Sequence, residues 1–420
     1  MYIAVRIFYK NIRFTDLKHL PKNKPLIIAS NHSNAFMDAV VMAVLIKQPV
    51  HFLARSDVFN SPLKRWFLGK QLNLTPIYRL EEGADQLHKN EDTFEKCFRL
   101  LKRKKTIVIF PEGICVQEKR LRKLRKGAAR IAFRAEEMND FKMGLLVLPV
   151  GLNYSSPKKF RSKLLISVGK PMKVVDYATQ YKTDKVRAMN VFTKDLEQAM
   201  KELLITIENK TNDQLVEDIQ EVYKKQLLEE KKLSPADTKN DFHVSSEITN
   251  AVNYFQTYHP VRLADIKQKL YHYIRELDEL KLRDHLLRRE SIEAMNTWWF
   301  LKDYLLIFLG MPVHILGLIM NYLPYKTAYI TANKVSKNVE FHSSINITIG
   351  TFAWIFYYLI QLIIIAFISA SPIVVLIYSL LVPLAGLYCL WFYPAMKKIF
   401  GRWRLLSLVQ QDKQKRVRLW

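Results

Sequence analysis

The sequence predicts a mixed α/β domain, then a charged helical region, then a membrane region that ends in a transmembrane helical hairpin. Three observations point there. Short β-branched runs alternate with helical stretches over the first 175 residues. Apolar residues recur at three- and four-residue intervals through a charged segment from Asp184 to Arg289. Two uncharged apolar stretches near the C-terminus each approach the ~20 residues that a helix needs to cross hydrocarbon. The corresponding division is residues 1–175, 176–300 and 301–420.

Taken in order, Arg6 and Lys10 interrupt the opening apolar run before it reaches signal-peptide length, so the first half is expected to stay cytosolic. A short amphipathic helix on a membrane surface and a simple core helix fit these first residues equally well. Leu26–Ala29, Thr106–Phe110, Leu145–Val150 and Leu164–Val168 read as strands. Ser234-Pro235 and His259-Pro260 break the helical region, and its heptads are not sustained, which favours helices packed on the soluble part over a coiled coil. Tyr304–Leu323 is apolar but holds Gly310, Pro312 and Gly317, with Lys326, Lys334 and Lys337 after it. A full crossing there would force the basic loop and the basic tail outside, so a re-entrant or interfacial segment is expected. Ile347–Ala370 and Ile373–Tyr393 carry no charge and are separated only by Ser369-Ala370-Ser371-Pro372, a tight hairpin. Eight Lys and Arg against one Asp between Ala395 and Trp420 place its outer ends in the cytoplasm.

Composition narrows the class. Of 420 residues, 65 are Lys or Arg and 39 Asp or Glu, a formal charge of +26, and 49% are hydrophobic. Disorder is excluded, and an anionic partner is called for: headgroups, phosphorylated substrates or nucleic acid. No nucleic-acid module is recognisable, and a membrane region already accounts for excess positive charge. Cys97, Cys115 and Cys389 have no CxxC spacing, so neither a disulfide framework nor a cysteine zinc site is supported.

The most informative segment is Ala29-Ser30-Asn31-His32-Ser33-Asn34-Ala35-Phe36-Met37-Asp38, a strand running into a polar turn and then an apolar helix. Ser33 or Asn34 can cap that helix, which puts Asp38 in its first turn or two, where its carboxylate can fold back on His32. A carboxylate on one ring nitrogen fixes the tautomer and stabilises the imidazolium formed when the other nitrogen takes a proton from a hydroxyl. A second strand ends in Phe110-Pro111-Glu112-Gly113, where Pro stops the strand, Gly permits a tight turn and Glu112 is left beside the site. Lys119, Arg120, Arg122, Lys123, Arg125 and Lys126 follow, leading into Gly127-Ala128-Ala129-Arg130. Lys126, beside small residues that admit a ligand to the backbone, is the candidate phosphate contact. Arg79, after the strand-like Leu74–Tyr78, offers a second. Leu148-Pro149-Val150-Gly151-Leu152-Asn153-Tyr154 ends another strand with a Gly, consistent with a pocket floor.

In this order, NHxNxxxD, an Arg after a Pro-Ile strand, FPEG, KxGAARIA and a VPVGLNY-like strand resemble the glycerolipid acyltransferases that make and remodel phosphatidic acid. The resemblance covers roughly residues 1–175. It implies His32 as catalytic base, Asp38 as its orienting acid, and Arg79, Glu112, Gly113 and Lys126 as acceptor-binding positions, the basic ones for phosphate. Five residues separate His32 from Asp38 where most members have four. A fungal and bacterial branch that acylates glycerol 3-phosphate and dihydroxyacetone phosphate is similar in this spacing, in Asn153-Tyr154 and in Lys159-Phe160-Arg161-Ser162. Cys115, two residues beyond Gly113, stands here in place of the family's usual Ser or Thr after the Glu.

The implied reaction moves a fatty acyl group from acyl-CoA or acyl carrier protein to glycerol 3-phosphate or lysophosphatidic acid at an anionic membrane, with no metal or cofactor. Two rivals stand beside it. Cys115 could be a nucleophile activated by His32, or the chain could be a basic membrane-anchored scaffold without catalysis.

Overall fold

The computed structural model describes residues 2–46, 48–78, 88–157, 159–287, 297–369 and 371–411. They divide into two compact units. The first comprises residues 1–208, 234–249 and 338–344, the second residues 209–233, 250–337 and 345–420.

The first unit is built on one mixed sheet. Its strands are β1 (Tyr9–Thr15), β2 (Leu26–Ser30), β3 (Val50–Arg55), β4 (Leu74–Ile77), β5 (Thr106–Ile109), β6 (Leu146–Tyr154), β7 (Ser162–Val168) and β8 (Met172–Lys173). They lie in the order β1-β7-β6-β2-β5-β3-β4, with β8 also on β6. From β6 to β4 all neighbours are parallel, whereas β7 and β8 run antiparallel to β6. β2 and β5 are central and buried along their whole length, which is why Leu-Ile-Ile-Ala-Ser and Thr-Ile-Val-Ile read as continuous runs and not as alternating ones.

The helices of this unit are α1 (Tyr2–Phe8), α2 (Ala35–Leu45), α3 (Pro62–Trp66), α4 (Asn90–Lys102), α5 (Gly127–Glu137), α6 (Ala178–Thr183) and α7 (Lys185–Lys201). Thr93, Cys97 and Leu101 on α4, the small face of α5, and Ala188, Phe192, Leu196 and Met200 on α7 are buried at helical spacing. They share one core with Ile27, Ile107 and Val147 of the strands. Phe133 and Phe192 are fully buried there, and either change to Ala would cost about 3–5 kcal/mol. α7, which the sequence places in the helical accessory region, thus packs into this core.

The second unit holds α8 (Asp213–Glu230), α10 (Pro260–Glu279), α11 (Asp284–Leu287), α12 (Thr297–Val335), most of α13 (His342–Ser369) and α14 (Pro372–Gln411). The intervening α9 (Thr238–Tyr258) begins in the first unit and ends in this one. Three helices, α12, α13 and α14, are long and apolar enough to cross a membrane. The segment expected to be re-entrant or interfacial, Tyr304–Leu323, lies in α12, which is one continuous helix through Pro312 and Pro324. Its glycines serve close packing instead. A Cβ on Gly310 would meet Phe392 and Tyr388, and one on Gly317 would meet Ala385 and Cys389. Asn321 donates to Val382 O, and Asp303 pairs with Arg402, so α12 and α14 run antiparallel side by side. These two helices pack along their length, and the expected hairpin of the last two apolar stretches is joined near its turn, where Tyr358 donates to Ser379 O and Tyr378 donates to Gln361 Oε1. α13 meets them through Trp354, which donates to Asn321, and Gln361, which donates to Met320 O.

Candidate active site

Where β2 ends, Asn31 replaces the backbone as the sheet's partner. Its Nδ2 donates to Leu152 O (3.1 Å), and Leu152 N donates to its Oδ1 (2.7 Å). The chain is then free to turn at His32. The His32 N–H donates to Glu112 Oε1 (2.8 Å), and Val116 N donates to His32 O (3.4 Å). Phe110, from the end of β5, stacks on the imidazole with ring centres 4.2 Å apart. The ring plane is thus fixed by a neighbouring strand.

α2 begins at Ala35, whose φ of +42° is unusual for a residue with a Cβ. Asn34 occupies the N-cap position, but its side chain does not cap: Nδ2 donates to Tyr9 OH and Pro157 O. The reverse bond forms, with Asn34 N–H donating to Asp38 Oδ2 (2.8 Å). That oxygen also lies 2.9 Å from His32 Nδ1, and Tyr154 OH donates to Oδ1 (2.7 Å). Asp38 is wholly buried, while the His32 side chain is 21% exposed. A carboxylate accepts only, so the contact puts the ring proton on Nδ1 and leaves Nε2 as a base.

Burial, and then the Asp38 charge, push the Tyr154 hydroxyl well above the usual tyrosine value, so it stays a donor. The Tyr9 hydroxyl, raised by burial in the same way, lies within hydrogen-bonding reach of Tyr154. Both are missing from the sequence-derived set. Asn153-Tyr154 as a motif is the one hint; Tyr154 bonds Asp38 from 116 residues away and Tyr9 bonds Asn34 from 25 residues away, so neither gives a local signal.

Glu112 joins the two motifs. Its Oε2 accepts from Arg122 N (3.1 Å), so one carboxylate holds both the His32 peptide and the basic loop. Burial raises its carboxyl above the ordinary value, and those two N–H groups pull it partly back. Gly113 sits at φ +73°, and a Cβ there would come within 2.7 Å of the Arg125 side chain. Arg125 N donates to Pro111 O, which closes the loop. Arg120 and Arg122 both pair with Glu118.

Of the residues singled out from sequence, His32, Asp38, Glu112 and Gly113 therefore lie in one bonded arrangement. Lys126 is exposed at the N-cap of α5, and Arg122 and Arg125 are the cations of its run whose backbones bond to Glu112 and Pro111. Arg79 lies outside the described residues. Gly151 does not end its strand, because β6 continues to Tyr154; the missing Cβ admits Leu203 O, which would otherwise sit 2.6 Å from it.

Cys115 is near the pair, accepting at Sγ from Ala35 N (3.0 Å). Burial, then the Asp38 charge, push its thiol up to about 12, so it is not a ready thiolate. His32, Asp38 and Cys115 offer donor atoms within 4.8 Å of one another. They fit a metal poorly, since both Asp38 oxygens are already engaged and the thiol resists losing its proton.

Residues 11–153 match the family model described as Acyltransferase. The chain is 28% identical over 151 residues to the 1-acyl-sn-glycerol-3-phosphate acyltransferase LPAT1, chloroplastic, of Arabidopsis thaliana, covering 36% of this chain and 38% of that one. It is 26% identical over 216 residues to glycerol-3-phosphate O-acyltransferase 2 of Saccharomyces cerevisiae, covering 50% and 28%. An uncharacterized acyltransferase of Schizosaccharomyces pombe is 22% identical over 284 residues, covering 65% and 39%. The chain thus spans less than two fifths of the length of these relatives.

Proposed function

We infer that this chain, whose residues 11–153 match an acyltransferase family model, is an O-acyltransferase that moves a fatty acyl group from a thioester to a hydroxyl of glycerol 3-phosphate in phospholipid biosynthesis. The observation that carries the reading is the buried Asp38 carboxylate on His32 Nδ1, which leaves Nε2 free beside the loop that Glu112 holds. His32 Nε2 takes the hydroxyl proton as the acceptor oxygen attacks the thioester carbonyl. The C–S bond then breaks, and the departing thiolate takes the proton back, giving an ester and a free thiol. Such a reaction needs one positioned base and two positioned substrates, with no acyl-enzyme and no cofactor.

Anionic acceptors suit the cationic run 119–126, of which Arg122 and Arg125 are tied nearest to Glu112. Arg79 and Lys126 remain candidate phosphate contacts by resemblance. Glycerol 3-phosphate is favoured by the five-residue spacing between His32 and Asp38 and by the name of the Saccharomyces relative. The name of the Arabidopsis relative supports lysophosphatidic acid as the alternative. Membrane association follows from the three long apolar helices, and we place the catalytic domain and the tail on the cytoplasmic side.

The test is acyl transfer by the full chain in bilayers. Radiolabelled acyl-CoA and acyl carrier protein would each be offered glycerol 3-phosphate, dihydroxyacetone phosphate, lysophosphatidic acid and a lysophospholipid. Transfer to none of them overturns the reading and favours a scaffold. Loss of transfer in Cys115→Ser would favour a covalent route; on the present reading that variant stays close to wild type.

A further inference from the structure

We propose that the helical run 62–71, between β3 and β4, inserts into the surface of an anionic lipid bilayer. Ser61 and Pro62 start it locally: the Ser61 hydroxyl accepts from Lys64 N, and Pro occupies a first-turn position where its missing N–H costs nothing. The run then continues from α3 into a π-helical turn at Phe67–Gln71. No side chain of either part is buried. Leu63 is 74% exposed, and Trp66, Phe67 and Leu72 are each more than two fifths exposed.

Four large apolar side chains left wet on an 11-residue stretch, 62–72, are not a normal surface. Charge says what covers them. Lys64, Arg65 and Lys70 are the only charged residues between 62 and 72, so the stretch suits a negative surface, and Trp is the residue that favours the headgroup boundary. A bilayer is within the chain's reach, because α12, α13 and α14 are long and apolar enough to cross one.

Leu63, Lys64, Phe67 and Leu68 also line an open cleft of about 680 Å³, together with Phe36, Asp57, Val58 and Asn60. An acyl chain lying in that cleft would account for those residues alone. It would leave Arg65, Trp66, Lys70 and Leu72 unexplained, since none of them lines the cleft. A bilayer surface accounts for both groups.

The experiment reconstitutes the full chain in bilayers of phosphatidylcholine with phosphatidylserine. The phosphatidylserine carries a photoactivatable group in its acyl tail, and adducts are mapped by mass spectrometry. Adducts are expected on residues 63–72 as well as on the apolar stretches 347–369 and 373–393, which act as the internal control. Exchanging Lys64, Arg65 and Lys70 together for Gln should lower the 63–72 adducts by roughly tenfold and spare the control. Adducts confined to the C-terminal helices would overturn the proposal, as would 63–72 adducts displaced by a saturating non-hydrolysable acyl thioester, which would give the surface to the donor chain. Because the readout is lipid contact, it stands or falls independently of transferase activity.

Discussion

Two turns meet at Glu112, and they are built on opposite plans. The turn at residues 30–38 is closed: Asn31 locks to Leu152, both Asp38 oxygens are occupied, and Phe110 stacks on His32. The 112–126 loop is open and cationic, tied down by backbone bonds at Glu112, Val116 and Arg125 while much of its side-chain charge faces outward. The contrast teaches a division of labour. A base must be held in one orientation, so Asp38 is buried with both oxygens engaged; on the proposed reading an anionic acceptor must enter and leave, and Lys123, Arg125 and Lys126 stay exposed.

Changes in the closed turn should therefore act on turnover and changes in the loop on acceptor binding. The largest effect is expected from His32→Ala, which removes the base: kcat should fall by at least the 10²–10⁴-fold that general-base catalysis typically supplies. Asp38→Asn should leave a small residue of turnover from a poorly oriented base. Near-normal kcat in folded His32→Ala would end the comparison, because the closed turn would then have no chemical task.

Next come the cations. Arg122→Ala and Arg125→Ala should each raise KM for glycerol 3-phosphate by about ten- to a hundredfold, the value of one charge-assisted hydrogen bond, with KM for the acyl donor little changed. Lys126→Ala tests whether an exposed N-cap cation takes part, with Lys104→Ala as the surface control. Kinetics at fixed ionic strength decide it, and equal small effects in all four would deny the loop its role.

Tyr154→Phe sharpens the contrast from inside the closed turn. It removes one donor from Asp38, so kcat should drop by about tenfold while both KM values hold. A rise in KM alone would move Tyr154 to substrate binding.

The smallest effect concerns Glu112 and pH. Burial raises its native pKa above the unfolded value, so between the two the folded state binds more protons. Its contribution to stability is complete below the unfolded value and is lost as pH rises through the native one. Thermal midpoints of wild type relative to Glu112→Gln should therefore fall from pH 4 towards neutrality. A difference that grows instead would mean that the His32 and Arg122 N–H groups outweigh burial.

Much of this plan was legible in the sequence, and the rest was not for physical reasons. Continuous apolar runs marked β2, β5 and β6, and the polar turn before α2 marked His32 and Asp38, because each of these signals is local. Tyr154 reaches Asp38, and Tyr9 reaches Asn34, through the sheet order β1-β7-β6-β2, which no local pattern encodes. Gly310, Pro312 and Gly317 read as helix breakers by propensity, whereas packing against α14 makes the glycines an asset. The return of residues 338–344 to the first unit, where Ser343 donates to Pro157 O, has no sequence signal at all.

The Asn31 side chain also bears on how such a site can vary. β2 and β6 stay in register up to Ser30 opposite Val150, and the following rung, on Leu152, is made by an amide side chain where a peptide would otherwise stand. A side chain thus splices the ladder shut, and the His32 peptide is released from the sheet to be gripped by Glu112 and Val116. Insertions or deletions between residues 117 and 126 fall beyond the splice. They can reshape the cationic loop without changing the point at which the sheet delivers the imidazole, so the same anchorage can serve acceptors of different size.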